Sequence, residues 1–312
     1  MTGTNQRQLE IDGISKRYGD TVAVEELSFD VRAGELFGFV GRNGAGKTTT
    51  MRIVLGVLAA DRGEVRWSGR PLDFKTRRRI GYMPEERGLY PKMRIAEQLT
   101  CLGELHGMAG RDAAAAALQW LERFDLAERR NAELQTLSLG NQQRIQLAAA
   151  LVFSPEVLVL DEPFAGLDPV AVDVLTEVLR ERAKAGVAVI FSSHELELVE
   201  RICDRVGIIR TRLLTTGSVE SLRSGFSRKR TAVRLQRPTE ELVAAVKQTL
   251  HKEGVELSGD RLLIDVEDPD RENPDITEAV VAAGGRVIEL SQVSPSLEEV
   301  YLKLVHEENP PP

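Results

Sequence analysis

The sequence predicts an α/β fold built on a parallel sheet, followed by a smaller α+β domain. Two apolar runs, residues 157–160 and 187–191, are continuous rather than alternating, which is typical of strands with both faces covered by helices. Between these runs, Asp168 and Pro169 open a stretch with apolar residues at helical spacing. Because strand and helix alternate in this way, we predict an α/β core.

The composition excludes some functional classes. A net charge of -7 argues against a nucleic-acid-binding protein. No apolar run approaches the ~18 residues that cross a bilayer. The first ten residues, MTGTNQRQLE, lack the apolar centre of a signal peptide. We therefore expect a cytoplasmic protein.

A glycine-rich loop separates the apolar run 36–40 from a helical pattern that begins at Thr49. It matches the phosphate-binding pattern G-x-x-x-x-G-K-[ST], and its residues are Gly41, Arg42, Asn43, Gly44, Ala45, Gly46, Lys47 and Thr48. Its glycines let backbone N–H groups surround a phosphate at the N-terminus of the following helix. We expect Lys47 at the β- and γ-phosphates of ATP and the Thr48 hydroxyl at Mg²⁺. Thr49, the next residue, completes the predicted ATP-binding set. The alternative is a glycine-rich turn with a surface lysine.

Two acidic residues, Asp161 and Glu162, end the apolar run 157–160. Carboxylates at the end of a buried strand are costly unless they serve an ion or a reaction. Asp161 fits a Mg²⁺ ligand, and Glu162 fits the base that polarises the attacking water. The alternative is that these acids cap the next helix.

A further segment, Leu137-Ser138-Leu139-Gly140-Asn141-Gln142-Gln143-Arg144, resembles the signature of ABC ATP-binding cassettes. In that family the signature of one cassette closes over the ATP held by another, so the resemblance implies that Ser138 and Gly140 contact the γ-phosphate in trans. Leu139 and Asn141 depart from the commonest form, LSGGQ. The alternative is that Ser138 is an ordinary helix N-cap.

Other family elements follow in order. Gly166, Leu167 and Asp168 resemble the D-loop, which links the two sites of a cassette dimer. His194 resembles the switch histidine at the γ-phosphate; a lone histidine at a strand end is otherwise structural. Tyr18 matches the aromatic residue that stacks on adenine, with a packed tyrosine as the alternative.

One residue departs from the family pattern. The segment Ile80–Glu86 aligns with the Q-loop, and Glu85 occupies the position of the usual glutamine. In the family this residue helps to ligate Mg²⁺ and reports the nucleotide state to the membrane subunit. A carboxylate also ligates Mg²⁺, and we expect altered sensitivity to metal or pH.

The resemblance covers residues 9–222. It implies a P-loop NTPase ABC cassette over residues 1–224, with a RecA-like core and a helical subdomain at about 86–150. It implies ATP and Mg²⁺ as cofactors, ATP hydrolysis, and two cassettes per assembly, most simply a homodimer. It also implies a separate membrane permease, which would hold the subunit on the cytoplasmic face. The finer resemblance is to the ATPase subunits of sodium- and drug-efflux exporters.

Residues 225–312 are expected to form a small ferredoxin-like domain, because their predicted order is βαββαβ plus a helix, with the second helix of this order at 274–283. Residues 309–312 are expected to be a disordered tail. The domain is either a dimer-stabilising appendage or a regulatory element. The basic stretches at 77–79 and 228–230 are either solvated charge or a contact with lipid headgroups.

Two other functions compete with transport. An ABC ATPase that acts on ribosomes or DNA usually carries two cassettes or a long coiled-coil insertion, and this chain has neither. A nucleotide-binding regulatory module without hydrolysis is disfavoured because Glu162 and His194 are both present.

Overall fold

The computed structural model describes residues 7–86, 88–226, 229–293 and 295–308. Outside these ranges lie residues 1–6 of the N-terminal segment, Arg228 of the second basic stretch, and the predicted tail at 309–312. The strands, in chain order, are β1 (Gln8–Tyr18), β2 (Thr21–Arg32), β3 (Leu36–Val40), β4 (Arg62–Trp67), β5 (Arg70–Pro71), β6 (Ile80–Met83), β7 (Val157–Leu160), β8 (Ala188–Ser193), β9 (Arg205–Arg210), β10 (Arg212–Ser218), β11 (Lys229–Leu235), β12 (Val255–Ser258), β13 (Arg261–Val266) and β14 (Val287–Val293).

The α-helices follow the same order. They are α1 (Lys47–Leu55), α2 (Phe74–Arg77), α3 (Ile95–Leu105), α4 (Gly110–Arg123), α5 (Leu139–Leu151), α6 (Pro169–Lys184), α7 (Leu196–Ile202), α8 (Val219–Phe226), α9 (Glu240–Leu250), α10 (Pro269–Ala282) and α11 (Leu297–Glu308). No helix among these described segments is long and apolar enough to cross a bilayer.

The chain divides into two compact units between Ser218 and Val219. The first unit contains a six-stranded sheet in the order β10-β9-β3-β8-β7-β6. All of its neighbours pair in parallel except β10, which pairs antiparallel with β9. Every residue of β3, β7 and β8 is buried, as predicted for strands covered on both faces. The predicted α/β core is confirmed.

A second sheet in this unit, in the order β2-β1-β4-β5, is antiparallel. Side chains from β1, β2 and β4 join those of β3 and α1 in one hydrophobic core. The helices α3, α4 and α5 occupy the chain between β6 and β7, which is where the helical subdomain was predicted. This core fixes α1 against both sheets and so positions the loop before it.

The second unit has the topology predicted for a ferredoxin-like domain. Its four-stranded antiparallel sheet has the order β12-β13-β11-β14, and α9 and α10 follow the first and third of its strands in the chain. Apolar residues from the sheet and these two helices form a separate core. The predicted domain boundary after residue 224 falls within α8, and we propose that this helix opens the second domain.

One helix of this unit begins earlier than its pattern predicts. The prediction starts it at Pro274, whereas α10 begins at Pro269. Proline suits the first helical position because its missing N–H needs no partner there. Pro269 takes this position, and Pro274 lies inside the helix.

Candidate nucleotide-binding site

The predicted site residues follow the carboxyl ends of neighbouring parallel strands. The glycine-rich loop follows β3, His194 follows β8, Asp161 and Glu162 follow β7, and Glu85 follows β6. Because these strands are parallel and adjacent in the sheet, their carboxyl ends share one edge. In α/β sheets this edge is where ligands bind.

The glycine-rich loop has a backbone that only glycine tolerates at two points. Gly46, immediately before α1, has a φ of 99°, and a Cβ there would lie 2.5 Å from the carbonyl oxygen of Ala23. At Gly41, a Cβ would lie 2.6 Å from the carbonyl oxygen of Ile209. The chain's own packing therefore requires these glycines. The N–H groups of the loop lie beside the N-terminus of α1, where an anion is favoured.

Lys47 is held inside this loop. Its side chain is 6% exposed, and Nζ donates a hydrogen bond of 2.6 Å to the Gly41 carbonyl oxygen. Nζ also lies 3.5 Å from Oε1 of Glu162. A buried ammonium requires hydrogen bonds and a counter-charge; here the loop itself supplies the hydrogen bond through Gly41, and Glu162 after β7 supplies the counter-charge.

Asp161 has one carboxylate oxygen without a partner. Ser192 donates from Oγ to Asp161 Oδ1 at 2.6 Å and accepts from the Glu162 N–H at 2.9 Å. Asp161 is 1% exposed, and its Oδ2 has no hydrogen-bond partner. A buried carboxylate oxygen left unpaired is costly, so its chemistry fits a cation.

The protein supplies few ligands for such a cation. Within the described segments, no group of three or more His, Cys, Asp and Glu side chains is arranged to hold a metal ion. Asp161 and the half-buried Thr48, at the second residue of α1, are the groups that fit. Mg²⁺ is commonly held by one or two protein ligands together with phosphate oxygens and water.

Glu162 lies between two basic groups in a strained backbone. Its Oε2 lies 3.0 Å from Nδ1 of His194, and its Oε1 faces Lys47. It is 8% exposed and has a φ of 48°, which is unusual for a residue with a Cβ. Backbone strain of this kind persists where the surrounding structure fixes it and is common at functional sites.

Glu85 is exposed, but its loop is held firmly. Gln146 of α5 donates to the carbonyl oxygens of Pro84 at 2.6 Å and Glu86 at 3.3 Å, on either side of Glu85. The pKa of the nearby Tyr82 phenol is raised, mainly by burial and by the charge of Asp161. Glu85 adds to this rise, and Arg52 opposes it. Glu85 and Asp161 therefore act on the same phenol.

The signature residues lie at an open helix terminus. Ser138 is the N-cap of α5, yet its side chain makes no capping hydrogen bond. Leu139 is 55% exposed, and a Cβ at Gly140 would come no closer than 3.8 Å to another atom. Asn141 is half-buried, and the Gln142 side chain donates to the Leu137 carbonyl oxygen at 2.9 Å. Ser138 therefore occupies the N-cap position, as the alternative interpretation expected, but its side chain does not cap the helix.

The remaining predicted residues differ in their surroundings. Asp168 caps α6 by accepting from the Ala171 N–H at 2.8 Å. Before it, Gly166 has a φ of 72°, and Leu167 is half-buried. Tyr18 ends β1 with a side chain that is 50% exposed, so half of this residue is open to a ligand. One side of the phosphate loop is exposed, at Arg42, Asn43 and Gly44. Ala45 is buried, and Thr49 is half-buried.

Comparison with known proteins identifies the family. A family model described as "ABC transporter" matches residues 24–165, and one described as "ATP-binding protein DrrA1-3-like, C-terminal domain" matches residues 217–305. The uncharacterized ABC transporter ATP-binding protein YhaQ of Bacillus subtilis is 42% identical over 226 residues, which cover 72% of this chain and 76% of YhaQ. The chain belongs to the ABC transporter ATP-binding subunits.

Two further similarities extend over much of the ABC subunit. The Nod factor export ATP-binding protein I of Rhizobium sp. (strain N33) is 33% identical over 304 residues, covering 96% of this chain and 97% of that protein. A solved structure described as the ATP-binding subunit of an ABC transporter is similar with a TM-score of 0.65 at 30% identity, covering 70% of this chain and 92% of that one. The predicted P-loop ABC fold is confirmed.

The ABC subunit binds and hydrolyses ATP for transport, as its family does. The competing prediction of an ABC ATPase that acts on ribosomes or DNA is not supported, because the relatives are named as transporter subunits. The sequence did not single out Ser192, which orients Asp161, or Gln146, which holds the loop of Glu85. Ser192 is the penultimate residue of the buried strand β8, and a hydroxyl at such a position was the one available signal.

Proposed function

We propose that this subunit hydrolyses Mg-ATP at composite sites shared by two cassettes and thereby drives export through a separate membrane permease. The observation that carries the proposal is the contrast between the phosphate loop and the signature. Lys47 of the phosphate loop is paired within its own chain, whereas the signature residues Ser138, Leu139 and Gly140 lie at a helix N-terminus where the Ser138 side chain makes no capping hydrogen bond. In the proposed dimer, a second copy of the chain supplies the missing partner, which is the γ-phosphate of the ATP that it binds.

In the cis half of the site, each residue has a role set by its position. The glycine loop binds the phosphates, Lys47 offsets their charge, and Tyr18 stacks on the adenine. Asp161 and Thr48 would hold Mg²⁺, which shields the phosphates from one another, and Glu85 would add a further ligand. Glu162 accepts a proton from the attacking water, and His194 orients Glu162 and the γ-phosphate.

In the trans half, the N-terminus of α5 faces the γ-phosphate of the other cassette. Backbone N–H groups and the Ser138 hydroxyl are donors that suit an anion, and the helix dipole has the matching sign. The D-loop residues Gly166, Leu167 and Asp168 are placed to report between the two sites. Hydrolysis removes the γ-phosphate contacts and lets the pair open.

The transport partner follows from relatives of similar length. The chain matches a Nod factor export ATP-binding protein over nearly its whole length and carries a DrrA-like C-terminal domain. We infer an export system in which the permease holds this subunit at the cytoplasmic face of the membrane. Affinity purification from detergent-solubilised membranes should recover a polytopic membrane protein in a fixed ratio. Recovery of ribosomal or DNA-bound proteins instead would contradict the transport assignment.

The hydrolytic roles are tested by turnover of the purified chain. Glu162→Gln should keep ATP binding and lower ATP turnover by about 10²- to 10⁴-fold, since it removes the general base. Exposed Glu220→Gln, at the start of α8, serves as the matched control. Turnover by Glu162→Gln at the rate of this control would contradict the role of Glu162.

The role of Glu85 is tested through the metal. Glu85→Gln should change the Mg²⁺ concentration that half-activates ATP turnover, because it removes one negative charge from the ligand set. An unchanged Mg²⁺ dependence would contradict the metal role of Glu85 and leave the assignments of Asp161 and Thr48 standing.

A further inference from the structure

Gln146 holds the backbone on both sides of Glu85. This side chain is 4% exposed, and its amide nitrogen donates to the carbonyl oxygens of Pro84 at 2.6 Å and Glu86 at 3.3 Å. A primary amide has two N–H groups, and here each serves one of these carbonyls. Gln146 therefore connects the backbone around Glu85 to α5.

The same helix also holds the loop that follows Glu162. Gln143 donates from Nε2 to the carbonyl oxygen of Pro163 at 2.9 Å. Residues three apart on a helix lie on one face, so Gln143 and Gln146 point the same way from α5. One face of α5 thus contacts the loops of both Glu85 and Glu162.

The far end of the Glu85 loop is held by a second buried glutamine. Gln98 of α3, which is 2% exposed, accepts from the Tyr90 N–H at 2.6 Å and donates to the Tyr90 carbonyl oxygen at 3.3 Å. Residues 84–86, which continue from β6, are therefore bound to α5, and Tyr90 is bound to α3. We expect movement of α5 relative to the sheet to move Glu85.

The helix α5 begins at the signature. Its N-cap is Ser138, and Gln143 and Gln146 lie one and two turns further along. A helix of this length moves as a rigid rod, so a displacement at its first turn is transmitted to both glutamines.

We propose that Gln143 and Gln146 are positioning residues that couple the two ATP sites of the dimer. When the N-terminus of α5 engages the ATP of the partner cassette, the two glutamines move the loops of Glu162 and Glu85 into place around the ATP of their own cassette. The proposed function gives neither glutamine a contact with nucleotide. This inference rests on the composite site proposed above, and its test is separable from the test of that site.

The competing explanation is that the two glutamines only satisfy buried carbonyl groups. Such a role stabilises the fold without affecting the chemistry. The two roles differ in kcat, in the response of the Glu85 loop to ATP, and in their dependence on Glu85.

The first experiment compares Gln146→Met, which removes both donors at similar volume, with Gln135→Met. Gln135 is an exposed glutamine whose side chain donates to Glu133. For Gln146→Met we expect kcat to fall about tenfold, with ADP affinity unchanged because the phosphate loop is untouched. The control should retain its kcat. A lower melting temperature of Gln146→Met with a normal kcat would overturn the proposal.

The second experiment measures amide hydrogen exchange in Glu162→Gln and in Glu162→Gln/Gln146→Met, with and without Mg-ATP. In Glu162→Gln, the amides around Glu85 and at the start of α5 should gain protection together. With Gln146→Met added, the start of α5 should still gain protection and the Glu85 loop should not. Equal protection of the loop in both proteins would overturn the proposal, whereas no protection at α5 in either would contradict the composite site itself.

A shorter donor covers the case in which Gln146→Met does not fold. Gln146→Asn keeps the amide but withdraws it by one methylene, so it should show the same direction of change in kcat and loop protection. A folded Gln146→Asn with normal kcat and normal loop protection would also overturn the proposal.

Discussion

The two units of this chain differ in how deeply the charged side chains compared here are buried and in how completely they are paired. At the carboxyl edge of the cassette sheet, Lys47, Asp161 and Glu162 are all buried, and one oxygen of Asp161 has no partner. In the C-terminal unit, two ion pairs are partly exposed: Arg230 with Asp265, and Lys252 with Glu272. A buried carboxylate with an unpaired oxygen is costly, and we attribute this cost at Asp161 to its chemistry.

Backbone geometry shows the same contrast. In the cassette, Glu162 has a φ of 48° between Lys47 and His194. In the C-terminal unit, two non-glycine residues with positive φ, Arg237 and His251, lie at a strand exit and a helix C-cap. Those are places where a turn explains the geometry. Strain beside a buried carboxylate therefore carries functional information that strain at a turn does not.

The largest effect is expected at Asp161. Asp161→Asn should lower ATP turnover by about a hundredfold or more, because it removes the charged metal ligand. The same change should stabilise the nucleotide-free chain by about 1 kcal/mol, because it removes an unpaired buried charge. Turnover and thermal unfolding of one preparation measure both effects.

Ser192→Ala is the companion variant. It leaves Asp161 charged and removes the donor to Oδ1, so it should destabilise the chain and lower turnover less than Asp161→Asn does. An Asp161→Asn protein that is both inactive and less stable than the parent would contradict the assignment of Asp161 as a functional residue that is costly to the fold.

The next effect separates the two kinds of glycine in the cassette. At Gly140 a Cβ fits within the chain, and the residue lies in a helix. Gly140→Ala should therefore stabilise the isolated chain by up to about 1 kcal/mol, yet weaken ATP-driven pairing, since in the proposed dimer the added methyl group would face the partner's nucleotide. At Gly46 a Cβ would collide with the Ala23 carbonyl, so Gly46→Ala should destabilise the chain. Thermal unfolding measures the difference in stability between the two variants, and ATP-dependent association measures the effect of Gly140→Ala on pairing. Destabilisation by both substitutions would contradict the predicted difference.

The smallest effect lies in the C-terminal unit. A hydrogen bond from Lys252, followed by the Asp268 N–H, lowers the pKa of Glu272 to about 2. A lowered carboxyl pKa stabilises the folded state above the unfolded pKa of about 4.3, and this stability is lost as the pH falls from there toward 2. Glu272→Gln should cost about 1 kcal/mol at neutral pH and flatten the pH dependence across that window.

Turnover is the control for this substitution. The account places the chemistry in the cassette, so Glu272→Gln should leave kcat at pH 7 unchanged. A large loss of turnover in a folded Glu272→Gln protein would show that the C-terminal unit contributes directly to hydrolysis.

Much of this architecture could be predicted from local sequence. The continuous apolar strands, the phosphate loop and the order of elements in the C-terminal unit depend on periodicity and turn chemistry over short stretches. The contacts of Ser192 with Asp161 and of Gln146 with Pro84 join residues 31 and 62 positions apart, and no local pattern specifies them. The start of α10 was predicted too late because two prolines, Pro269 and Pro274, both suit a first helical turn.

The central claim is that one cassette contains half of each ATP site, and the solution mass of Glu162→Gln tests it most directly. The mass is measured at one protein concentration with and without Mg-ATP, and beside it the mass of Glu162→Gln/Gly140→Ala. The account predicts a monomer without nucleotide, a dimer with Mg-ATP, and a weaker dimer when Gly140→Ala is added. A Glu162→Gln protein that binds Mg-ATP and remains a monomer, or a dimer that Gly140→Ala leaves unaffected, would contradict it.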